Sequence, residues 1–110
     1  MRNLSKFRER IIFQKPAKQT EASGQKVPEW EFVCIRHAQI LPKAAAETIR
    51  NKQLRAETTH VVVVPSDVEV QGITPKHRIL WGTRKLNIIT NINRDGQEVE
   101  RELEVKERMR

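Results

Sequence analysis

The side chains with chemical potential in this sequence are one thiol, Cys34, three histidines, His37, His60 and His77, and a row of carboxylates at Glu98, Glu100, Glu102 and Glu104. A nucleophile needs a base within hydrogen-bond reach and a group that orients the base. Cys34 alternates with Phe32 towards the expected core, so it reads as a buried filler. The histidines lie far apart in the chain and lack a second Cys to complete a zinc set; they read as structural or surface residues. Glutamates at every second position share one face of a strand, where like charges repel unless bases lie across from them. That face is either solvated or an inter-subunit ion-pair surface. The four glycines are scattered, so no phosphate-cradling loop is expected. Neither a catalytic set nor a metal site nor a cofactor is expected.

The stretch I-T-P-K-H-R-I-L-W-G-T-R-K-L-N-I, residues 73–88, gathers a histidine, a tryptophan and four bases without an acid. Its base-rich chemistry has no partner group, and its punctuation is that of a scaffold hairpin. Pro75 starts a turn, Arg78 to Trp81 is a strand, Gly82-Thr83 reverses it, and Asn87 lies on the returning strand.

The elements that position these residues are mostly strands. Residues 8–14 form a first strand closed by Pro16, and 17–28 an exposed connection. Residues 30–41 form a long strand with Trp30, Phe32, Cys34, Arg36, Ala38 and Ile40 on one side. Residues 43–56 form the helix, its apolar face carried by Ala45, Ile49 and Ala56. Val61 to Val64 is a strand buried on both faces. Residues 65–75 form a loop or a short edge strand through Val68 and Val70. Arg94-Asp95-Gly96-Gln97 makes a tight turn before a last strand over 98–106, with Val99, Leu103 and Val105 facing in. The pattern predicts an all-β chain: a small antiparallel barrel or sandwich of six to seven short strands, with one short helix between the central strands. All 110 residues form one domain.

Charge narrows the function classes. The net charge is +7, with an excess of bases in 1–18, 43–55 and 76–85 and near balance in 94–110. Patchy positive charge suits a polyanion or an acidic partner surface. Aromatic residues make up only 5% and Tyr is missing, so a base-stacking platform is poorly supplied. No apolar run reaches membrane-spanning length, so no membrane is expected as a partner. The N-terminus lacks a signal-peptide centre and a lone cysteine fits a reducing compartment, which predicts an intracellular protein.

Distributed landmarks then resemble the head-closure or head–tail joining family, the stopper proteins of long-tailed phages. They are Leu4 followed by R-x-R-I-x-F-Q at Arg8 to Gln14; Trp30, Ala38 and Pro42; Glu47; A-E-T-T-H-V-V-V at 56–63; the 73–88 stretch itself; and Asp95-Gly96 with the E-L-x-V-x-E ending. The chain departs from the family pattern at Lys43-Ala44-Ala45-Ala46, Val64-Pro65, Lys76 and Leu86. The resemblance implies a non-enzymatic virion protein. It would form a twelve- or six-fold ring with itself beneath portal and adaptor proteins. It would retain the packaged double-stranded DNA by non-specific contact and present a docking surface to a tail terminator or tail tube protein. Assembly would take place in the host cytoplasm. Lys43, Arg50, Lys52 and Arg55 are then candidates for a channel-facing or subunit-bridging element. The alternatives are a free basic barrel that binds nucleic acid, and a tail terminator.

Overall fold

A computed structural model describes residues 6–17, 29–51, 53–93, 96 and 99–108. Six strands follow the alternation of apolar residues: β1 (Glu9–Pro16), β2 (Trp30–Pro42), β3 (His60–Pro65), β4 (Arg78–Trp81), β5 (Arg84–Asn93) and β6 (Glu100–Glu107). Two helices interrupt them, α1 (Lys43–Arg50) after β2 and α2 (Val68–Gln71) after β3. The strands close into an antiparallel barrel in the order β1-β2-β3-β6-β5-β4. It is built of two meanders, β1–β2–β3 and β4–β5–β6, sealed along the β1–β4 and β3–β6 pairings. The expected all-β barrel with one helix between central strands is what the chain forms, with α2 as an addition.

Period-two alternation fills the interior. Ile11 and Phe13 from β1, Cys34 and Ala38 from β2, Val62 and Val64 from β3, Ile79 from β4, Leu86 and Ile88 from β5, and Leu103 and Val105 from β6 form one core. The four-valine run is buried on both faces as expected. Val62 and Val64 face inward, while Val61 and Val63 pack outside the barrel against Phe7, Ala46, Leu54 and Leu41.

That outer cluster is where α1 belongs, and it corrects the helix reading. The helix stops at Asn51, whose φ of 51° is left-handed, a conformation asparagine tolerates better than most residues. Within the helix Ala46 packs on the barrel and Ile49 is 60% exposed, so Ala46 and not Ala45 or Ile49 carries the contact. The following segment is pinned back because the Glu47 Oε2 accepts the Leu54 N–H at 2.9 Å, which buries Leu54.

Three more expectations change. In β2 the register slips between Phe13 and Gln14, so that Phe13 pairs with Cys34 but Gln14 pairs with Phe32. The extra residue, Val33, packs on the core, and Phe32 is thrown outward to 61% exposure. Residues 65–75 are not an edge strand. The Asp67 Oδ1 caps α2 by accepting the Val70 N–H at 3.0 Å, and Val70 and Ile73 enter the core at helical spacing. Asn91 locks this cover down, its Nδ2 donating to the Val70 and Ile73 carbonyls at 2.9 Å each. Finally, Val99, expected to face inward, is 42% exposed. Arg94, Asp95, Gln97 and Glu98 lie outside the described residues, as do residues 18–28 of the expected connection over 17–28.

Candidate functional site

The inward-facing positions at one end of the barrel are polar and aromatic, and they interlock. The Trp81 Nε1 donates to the Glu9 Oε1 at 3.0 Å. The Arg84 guanidinium lies 4.0 Å from the Trp81 ring centre and grips Glu107 through two bonds of 2.7 Å. His60 meets Trp81 edge-on at 6.1 Å, and its Nδ1 is 2.9 Å from the Thr59 Oγ1. Thr59 in turn accepts the Glu107 N–H at 2.8 Å. This network closes the barrel end that Gly82 creates. Gly82 has φ +64° at the first of two turn residues, the pattern of a type II′ hairpin turn.

Burial pushes the His60 imidazole below its ordinary pKa; Arg84 works in the same direction and Glu107 against it. Burial likewise lowers His77. An unfolded histidine therefore takes up a proton more readily than either folded one, and stability falls as pH drops through about 6.5. The urea midpoint is expected to be lower at pH 5.5 than at pH 8, with a smaller difference in His60→Gln. An unchanged difference in that variant would assign the effect elsewhere.

At the other end Arg36, from the inward side of β2, reaches α2. It donates to Asp67 at 2.9 Å and to Glu69 at 2.6 Å. Burial opposes the Asp67 charge, but the Arg36 and Val70 donors outweigh it and hold the carboxyl below its usual range.

The residues singled out from the sequence fall into three places. The hairpin group frames the barrel. Arg78 donates to Gln14 at 2.8 Å and covers the Trp30 ring at 4.2 Å, Asn87 pairs between Arg78 and Lys106, and Pro75 sits in a turn where the Thr74 N–H donates to the His77 Nδ1 at 3.1 Å. The glutamate row is not a bare solvated face. Glu100 takes Lys6 at 2.9 Å, Glu102 is 6% exposed beneath the α1 layer, and Glu104 accepts the Thr58 hydroxyl at 2.8 Å with Arg55 3.9 Å away. Of the helix group, Lys43 bonds the Ala56 carbonyl at 3.3 Å. Arg50 ends α1, its side chain not described, and Lys52 lies outside the described residues. A cavity of about 170 Å³ opens between Leu41, Val61, Val63 and Ile49, with Lys6 and Glu102 at its polar ends. Cys34 is buried, and burial raises its thiol pKa, which disfavours the reactive thiolate.

Sequence reasoning missed the linked end cap of Glu9, Thr59, Arg84 and Glu107. Its signal was available, since each continues the inward parity of its strand or abuts it, one step beyond the apolar residues.

Fold and polar framework together define a closed six-stranded antiparallel barrel with a helical insert, whose distinctive residues shape the scaffold. The chain belongs to the phage head completion protein family, whose model matches residues 2–108. It is thus a phage head structural protein and a virion component. No curated protein sequence matches it. The fold is similar to the solution structure of protein SF1141 from Shigella flexneri 2a, with a TM-score of 0.70 at 22% identity over 96% of each chain.

Proposed function

We propose that the protein forms a ring in the head–tail connector, below portal and adaptor, closes the DNA-filled head and offers the surface on which the tail docks. The observation that carries this reading is the family match across nearly the whole chain. The architecture supports it. A closed barrel has no open strand edge to extend, so neighbours must meet through side chains, the α1 insert and the loops. The insert, with Lys43, Arg50, Lys52 and Arg55, is the proposed channel-facing or bridging element, suited to phosphate contact without base readout. The glutamate strand is the proposed inter-subunit charge partner. A free nucleic-acid module is less well supported, because the rings of Trp30 and Trp81 already stack against Arg78 and Arg84.

Deletion of the gene is the test. DNA-filled heads that leak, alongside intact unattached tails, are the expected result. Normal infectious virions would overturn the reading, and full tails lacking their terminal cap would move the role to the tail.

A further inference from the structure

The outer surface of β2, β1 and β4 carries an aliphatic stripe. Ile35, Ile12 and Leu80 form one row through the pairings Ile12–Ile35 and Ile12–Leu80, and all three are half-buried. The next row places Phe32 and Arg78 on either side of Gln14. On the opposite flank the exposed Arg10 pairs with His37, and the exposed Lys85 lies beside Leu80. No carboxylate belongs to these rows. Phosphates gain nothing from covering aliphatic side chains, whereas an apolar protein contact rimmed by carboxylates gains from both features. The stripe therefore suits protein rather than DNA.

The same chain carries the complement. Val68 is 84% exposed at the start of α2, between Asp67 and Glu69, whose carboxylates share the single guanidinium of Arg36. One negative charge is left over beside an exposed aliphatic side chain. Turn and stripe adjoin through Arg36 but share no residue, so joining the turn of one copy to the stripe of the next is head-to-tail, the contact that generates a ring when its rotation closes. We propose that the Asp67–Val68–Glu69 turn of one subunit docks on the Ile12–Ile35–Leu80 stripe of the next, its carboxylates facing Arg10 and Lys85. This inference rests on the ring reading above.

The test uses full-length protein assembled on phage heads. In the double variant Val68→Cys with Leu80→Cys, a short bis-maleimide is expected to give a ladder of covalent oligomers. Each single variant, and the parent with only the buried Cys34, should give none. Val68→Asp should lower head completion by about tenfold or more, as loss of an interface anchor does, with its Tm unchanged because the site is exposed. Heads that complete normally in the double variant but give no ladder overturn the pairing and leave the ring standing. Full activity of Val68→Asp also overturns it. Normal virions after gene deletion overturn the ring reading itself, and the pairing with it.

Discussion

Phe13→Ala is expected to remove about 3–5 kcal/mol of folding stability, the usual cost of emptying a buried aromatic site. Phe13 is fully buried, between Cys34 across β2 and Ile79 across β4. The backbone around it is held in two ladders at once, so the cavity cannot collapse without breaking one of them. Small domains have about 5–15 kcal/mol in total, so the variant loses a large share of its stability. Urea unfolding should show a much lower midpoint with an unchanged m value. Phe32→Ala is the control. Phe32 is 61% exposed, and its removal should change stability by no more than about 0.5 kcal/mol. Similar losses at the two positions would mean that the β2 bulge is misplaced.

Trp81→Ala should be the second-largest loss, about 2–4 kcal/mol, because the indole ties three strand ends together. It leaves Glu9 without its 3.0 Å donor, Arg84 without the ring beneath it, and His60 without its edge contact. Trp81→Phe keeps most of the packing and removes the hydrogen bond, for about 1 kcal/mol. In the alanine variant His60 gains water and its pKa returns towards the ordinary value, so the pH dependence of stability should flatten. A Trp81→Ala protein as stable as the parent, with the parent's pH profile, would show that the cap does not hold the barrel end.

Elements with a strong period were legible in the sequence, and elements fixed by a single residue's conformation were not. The four valines announced a strand with two covered faces, and Pro75, Gly82 and the alternation around them announced the β4–β5 hairpin. The β2 bulge was hidden because Phe32 and Val33 are both apolar, so alternation cannot say which faces inward. The end of α1 was hidden because propensity continues past Asn51, while the left-handed turn and the Glu47–Leu54 bond stop it. The short helix α2 was missed because its two valines alternate like a strand; the capping Asp67 and the Val70–Ile73 spacing were the signals that distinguish the two. As for the candidate residues, spacing placed Arg78, Trp81 and Asn87 on two neighbouring strands, and these pair as β4 and β5. Spacing could not show that Thr58 and Lys6 already engage the glutamate row, since those contacts join residues far apart in the sequence.

The two-meander construction has a consequence for how the molecule comes into being. Within each meander consecutive strands are neighbours, β2 and β3 across the α1 insert, and can pair as soon as they are made. The seams cannot. Ile12–Leu80 and Val62–Leu103 join residues distant in sequence, and such closures are slow because chain entropy is lost before the contacts reward it. During synthesis β1, β2 and β3 emerge first, with two open strand edges and the inner valines uncovered, the state most prone to adhere to other chains. Protection arrives only when β6 slots between β3 and β5. Closure of that last seam is therefore the step before which the unfinished chain is most open to misassociation.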